Sequence, residues 1–208
     1  MGAMEPKPAP RAERRRLTHV DRTGRPRMVD VGGKPATERR AVAEAFVAMS
    51  PETLSLVIDG STPKGDVLGV AELAGVMGGK RTSDLIPLCH PIGLTSMVVT
   101  ATPDRSAGGI RIRAEAAVTG PTGVEMEALT AASIAALTAY DMVKGIERGV
   151  EIRSIHLVEK SGGRSGEWRR PARAPGAPGS PGAPANDGPP RPRRRPGERV
   201  AGRIRKHG

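Results

Sequence analysis

Between Val124 and Lys144 the chain reads VEMEALTAASIAALTAYDMVK, a run of helix formers with Glu125 and Glu127 at its start and Asp141 and Lys144 at its end. At about 100° per residue, positions 127 and 141 fall within about 40° of each other, so one helical stripe carries ionisable groups at both ends. Asp141 and Lys144 are three positions apart and adjacent on such a helix. Spacing alone describes a surface salt bridge as well as an acid/base couple. A lysine exchanges protons near neutral pH only if burial or nearby cations lower its pKa, while a carboxylate beside it can hold or relay the proton. Glu125 and Glu127 lie where the helix dipole favours negative charge, and capping accounts for them equally well.

A second candidate is LIPLCHP at 85–91, with Cys89 and His90 in an apolar stretch closed by a proline. Adjacent residues of an extended chain point to opposite sides, which argues against both ligating one metal. The histidines are scattered at 19, 90, 156 and 207, there is one cysteine, and neither H-x-x-H nor C-x-x-C occurs, so no metal site is expected. Cations suited to phosphate are spread along the chain at Arg39, Lys64, Lys80, Arg81 and Lys160. Near the last of these, KSGGRSG could form an anion-binding nest or simply a glycine-rich exit from a strand. GVMGGKR lacks the spacing and the Lys-Ser/Thr ending of a P-loop.

Taken together, KRTSDLIPLCHP at 80–91, GVEMEALTAAS at 123–133, YDM-x-K at 140–144 and KSGG at 160–163 closely resemble the cyclic pyranopterin monophosphate synthase family of molybdenum cofactor biosynthesis, over roughly Leu17 to Trp168. The resemblance implies a lyase that converts cyclised GTP, 3′,8-cyclo-7,8-dihydro-GTP, to cyclic pyranopterin monophosphate with release of diphosphate. It implies that Asp141 and Lys144 form the acid/base pair, with Lys64 a further participant. Leu88, Cys89, His90, Glu125, Met126 and Glu127 would contact substrate, and Arg39, Lys64, His90 and Lys160 would surround its triphosphate. No resident cofactor is implied, although Mg²⁺ can accompany the triphosphate. Fourteen residues at 1.5 Å rise separate Glu127 from Asp141 by about 21 Å, too far for both to touch one reacting centre. Two chains would then share each site, in keeping with the homohexamer, a trimer of dimers, that the resemblance implies.

The elements that must carry these residues are legible in part. DVLGVAELAGVMGG at 66–79 has helical spacing with Gly78-Gly79 as its stop. TSMVVTAT at 95–102 and GIRIRAEAAV at 109–118 read as a hairpin around the loop PDRSAGG, and EIRSIHLVEK at 151–160 as a closing strand. Arg39–Met49 is ambiguous: its alanines lean helical by propensity, whereas period two also fits, and the family resemblance implies a strand. Taken as strand, it completes the order β-α-β-β-α-β, a ferredoxin-like α+β sandwich with an inserted helix and turn at 50–65. Ala128, Ala132, Ala135 and Ala139 share one face of the long helix, flat enough to pack closely on a sheet.

Composition divides the chain into three. Residues 169–208 hold nine prolines and a net charge of +9, residues 1–16 add +3, and residues 17–168 carry −1, so the total of +11 belongs to the ends. Both ends lack the apolar side chains needed to offset ordering and are expected to be disordered, leaving 17–168 as one catalytic domain. A nearly neutral domain with three aromatics argues against nucleic-acid binding. The competing reading is a non-catalytic module whose basic tail docks on RNA or an acidic partner. One cysteine, no apolar run near ~18 residues and no signal segment point to a cytoplasmic protein with no membrane partner.

Overall fold

In a computed structural model that describes residues 24–171, residues 37–48 form the central strand of an antiparallel sheet, β1 (Thr37–Ala48). It is followed by α1 (Pro51–Ile58), α2 (Val67–Lys80), the single turn α3 (Thr82–Leu85), β2 (Ser96–Asp104), β3 (Gly109–Gly120), α4 (Glu125–Val143), β4 (Glu151–Ser161) and the two-residue β5 (Trp168–Arg169). The sheet order is β2-β3-β1-β4-β5. Leaving out α1, α3 and β5, this is the expected ferredoxin-like arrangement, with β1 paired to both β3 and β4. No helix among the described residues is long and apolar enough to cross a membrane.

The ambiguity over 39–49 resolves through pairing on both edges of β1. Every residue from Thr37 to Ala48 has a partner in β3, from Gly120 to Gly109, while β4 pairs along the other edge with register shifts after Val42 and Phe46. Local helical preference, a few tenths of a kcal/mol per residue, is overridden by two hydrogen-bonded ladders and a buried apolar face. That face carries Ala41, Ala43, Ala45 and Val47, and its small side chains let α4 approach closely. Ala128, Ala132, Ala135 and Ala139 of α4 are all fully buried, so the alanine face meets the sheet as expected.

Gly78 and Gly79 do not stop α2, which continues through Lys80. They are buried where α2 crosses α4, and a Cβ at Gly78 would come 2.6 Å from Ile134 Cγ1, so these glycines serve helix-to-helix approach. The hairpin is also tighter than its composition predicts: Pro103 and Asp104 belong to β2, and the turn is only Arg105–Gly108. The Asp104 carboxylate closes it by accepting from Ser106 Oγ at 2.7 Å, Ala107 N at 2.9 Å and Arg111 Nη2 at 2.8 Å.

Sheet pairing passes the expected boundary at 168. Arg169 pairs with Glu159 and the Arg170 N–H donates to the Val158 carbonyl at 2.7 Å. Residues 1–23 and 172–208, which include nearly all of the two segments expected to be disordered, lie outside the described residues.

Candidate active site

α4 governs the geometry, because it presents ionisable groups at both ends and its middle is buried. At its N-terminal end, Glu127 is only 4% exposed although it is a carboxylic acid. Burial is the first cause that raises its pKa, and neighbouring Glu125 adds to it. The loop after α3 turns Leu88, Cys89 and His90 towards this end, with the Cys89 N–H donating to the Ile86 carbonyl at 3.1 Å. His90 Nε2 lies 2.7 Å from the Val29 carbonyl, which anchors the ring to the segment preceding β1. Cys89 and His90 both line one cavity of about 360 Å³ with Leu88, Glu125, Met126 and Glu127. The alternation argument therefore fails here, because the loop is not an extended strand. Burial, then Glu127, pushes the Cys89 thiol upward, leaving it protonated at neutral pH and poor as a nucleophile.

A second cavity of about 520 Å³ adjoins the first, sharing Lys34, Thr122 and Gly123 with it. Its cations are Lys34, Arg39 and Arg164. Arg39 is aimed by the carbonyls at the end of β3, donating from Nε to Gly120 O at 2.9 Å and from Nη2 to Pro121 O at 3.2 Å. Gly162 and Gly163 both have positive φ, +90° and +68°, and fold the chain back over β1. A Cβ on Gly163 would collide with Arg39 Nη1, so the guanidinium occupies space that only glycine leaves free. Lys160 on β4 bridges the two cavities, donating to Glu125 Oε1 at 2.9 Å and to Ser165 Oγ at 2.9 Å.

The remaining predicted residues are elsewhere. At the C-terminal end of α4, Asp141 lies between Lys144 Nζ at 2.7 Å and Lys64 Nζ at 2.7 Å, and Lys64 also donates to the Asp141 carbonyl at 3.0 Å. Lys64 reaches it from the turn after α1, where the Thr62 hydroxyl donates to the Gly65 carbonyl at 2.6 Å and Gly65 has φ +86°. Hydrogen bonds from Lys144 and then Lys64 hold Asp141 down to about 2, and Asp141 raises Lys144 above the usual lysine value. Within a single chain the bond to Asp141 outweighs the desolvation that acts to lower the Lys144 pKa; the trio is about half exposed, and Lys144 rests as an ammonium.

The structure thus brings Arg39, Leu88, Cys89, His90, Glu125, Met126, Glu127 and Lys160 together at one end of α4, and Lys64, Asp141 and Lys144 at the other. Sequence reasoning did not single out Lys34 or Arg164. Arg164 lies in the glycine-rich stretch weighed above as an anion nest, whereas Lys34 carries no comparable local signal. Lys80 and Arg81 lie at the end of α2 and line neither cavity. Among the described residues, no three His, Cys, Asp or Glu side chains converge as a metal site would.

The MoaC family profile matches residues 28–163, which span both ends of α4 and both cavities. This chain belongs to the MoaC family. It is similar to the cyclic pyranopterin monophosphate synthases of Brucella ovis and Brucella abortus, each 60% identical over 153 residues that span 74% of this chain and 93% of the relative. The corresponding protein of Brucella canis is 59% identical over the same length. Membership of the MoaC family makes the chain an enzyme of molybdenum cofactor biosynthesis.

For this MoaC-family enzyme the buried Glu127 carries a stability cost with a definite sign. A carboxyl whose folded pKa is raised makes the folded state bind more protons than the unfolded state between the two pKa values, so stability falls as pH rises through that window. Glu127→Gln removes the titration. The melting temperature of the variant is expected to exceed that of the parent at pH 8, and the difference should shrink at pH 4. A gap that stays constant across this range would mean that Glu127 has the same pKa in the folded and unfolded states.

Proposed function

We propose that the two adjoining cavities form one substrate cleft for cyclised GTP, which the enzyme converts to cyclic pyranopterin monophosphate with release of diphosphate. The observation that carries this reading is the polarity of the cleft. One half presents Glu125, Glu127, Cys89 and His90, groups suited to the polar edge of a fused heterocycle, and the other presents Lys34, Arg39 and Arg164, suited to a triphosphate. Closing the cyclic phosphate requires a sugar-derived oxygen to form a bond to the α-phosphorus while the bond to the β-phosphate oxygen breaks. Negative charge then grows on the departing diphosphate, and cations already aimed by the backbone stabilise it without rearranging. Any divalent ion that takes part would arrive with the triphosphate.

In this reading Lys144, Asp141 and Lys64 handle the protons of the ring rearrangement, with Lys144 the first donor and the Asp141 carboxylate the acceptor. They stand about 21 Å from Glu127 along α4, so the proton-handling trio that serves a given cleft comes from a second copy of the chain. Glu127 and Asp141 are equidistant in sequence from Ile134. A two-fold axis beside that residue, with two α4 helices antiparallel, would set each chain's Glu127 end against its partner's Asp141 end. Exposed apolar side chains support a partner on this side: Leu137 on α4 and Val70, Leu73 and Met77 on α2 are 43–62% exposed. The assembly is proposed to be a hexamer built from three such dimers.

Release of diphosphate from cyclised GTP by the purified full chain tests the reaction, and its absence from correctly assembled protein would sink the proposal. The competing reading, docking through the basic tail, is separated by a truncation. A chain ending at Arg170 keeps β5 and every site residue and is expected to retain its melting temperature and its turnover. Loss of most of kcat at moderate salt, with assembly intact, would favour the docking role.

A further inference from the structure

Glu147 lies just beyond α4, three residues past Lys144, and its carboxylate meets the start of α1. Both oxygens accept from the Ser50 N–H, at 3.0 and 3.2 Å, at the residue that caps α1. Burial acts to raise the Glu147 carboxyl, but the bonds from the Ser50 N–H and the Thr53 and Ser50 hydroxyls outweigh it and hold the group below the usual range. A surface glutamate placed only for solubility would not meet this set of donors.

The contact closes a circuit. From Ser50 the chain runs along α1 to the turn that carries Lys64, and Lys64 returns to Asp141 near the end of α4, just before Glu147 in the chain. α1 also buries Leu54 and Val57 in the core, and the bond to Glu147 fixes the N-terminal end from which the helix runs to the turn that carries Lys64. We infer that Glu147 is a positioning residue: by tying the start of α1 to the end of α4 it holds the Lys64 ammonium on Asp141. This rests on the proposed proton-handling role of Lys64, Asp141 and Lys144. Asp141 is faced by Lys144 from its own helix and by Lys64 from the turn after α1, and Glu147 by Ser50 and Thr53.

The test uses the full chain in its native assembly. Glu147→Ala removes the acceptor, whereas Glu147→Gln keeps an amide oxygen for the Ser50 N–H. Amine acylation followed by mass spectrometry should show Lys64 labelled several-fold faster in Glu147→Ala, with Lys80 as an internal reference, and near the parental rate in Glu147→Gln. The Ala variant should lose about 10-fold in kcat with KM changed less than 2-fold, because the cations proposed to hold the triphosphate, Lys34, Arg39 and Arg164, stay in place, and Gln should recover most of it. Should Glu147→Ala misfold, Ser50 provides the same test. Its φ of −65° accepts proline, so Ser50→Pro deletes the N–H donor, and Ser50→Ala controls for the lost capping hydroxyl. Unchanged Lys64 labelling in folded Glu147→Ala, or equal labelling in Ser50→Pro and Ser50→Ala, would overturn the inference. The labelling result stands even if no diphosphate is released, so failure of the clamp and failure of the proposed reaction are read separately.

Discussion

Asp141→Asn and Lys144→Arg are each expected to lower kcat by about 10²-fold or more, the scale of general acid/base catalysis, with substrate affinity changed much less. The asparagine keeps the size of the carboxylate and one hydrogen-bond acceptor but cannot take a proton. The arginine keeps the charge, yet its guanidinium does not release a proton at any accessible pH. Both leave the cationic half of the cleft intact, since neither residue lines it. Asp141 is held to about 2 and Lys144 is raised, so the free enzyme enters the reaction with one group ionised as base and the other as acid across the neutral range. An acid limb in kcat/KM above pH ~4 would therefore have to come from another group, Glu127 being the cleft carboxyl whose pKa is raised. Single-turnover and binding measurements distinguish the roles. If either substitution weakens binding by two orders of magnitude while saturating kcat survives, the trio holds substrate and does not exchange protons with it.

Mixing two inactive variants should restore activity. Glu127→Ala damages the N-terminal end of α4 and Asp141→Ala the C-terminal end, about 21 Å away. If each site takes one end from each of two chains, random reassembly at equal amounts makes half the dimers mixed. Each mixed dimer then has one site with both lesions and one with neither. About a quarter of parental activity should return. Sites contained within one chain would give no recovery from the same mixture once mass analysis shows that hybrids have formed, and that result would remove the basis for a shared site.

The long helix shows how much could be read from residue order. Its extent, its alanine face and the stripe joining Glu127 to Asp141 all follow from a period of 3.6, and that period is set within the helix by its own hydrogen bonds. The fourteen-residue separation followed as well, because rise per residue is nearly invariant. Motif matches at LCHP, GVEME and YDM-x-K marked the same residues that the fold gathers at the two ends of α4. The hairpin and closing strand were legible because alternation and turn formers are local signals.

Other features depended on contacts between segments far apart in the chain. Arg39–Met49 leans to helix when its alanines are taken alone, yet it is the most thoroughly paired strand, since only β3 and β4 on its two edges make the extended form the more stable one. Gly78-Gly79 had the local look of a helix stop, and its use as a notch for Ile134 required α4 to lie across α2. Lys64 joined Asp141 across 77 positions, and Arg39 took its aim from carbonyls 81 and 82 positions away. The pKa values went the same way: spacing placed Lys144 beside Asp141, but the lysine is raised because the hydrogen bond and charge of that carboxylate, as the fold sets them, outweigh desolvation. Periodicity and motif spacing are written in bonds between near neighbours and survive in the bare sequence. Desolvation, the aim of a guanidinium and the choice between helix and strand arise from groups that meet only when the chain closes on itself, and no run of adjacent letters records them.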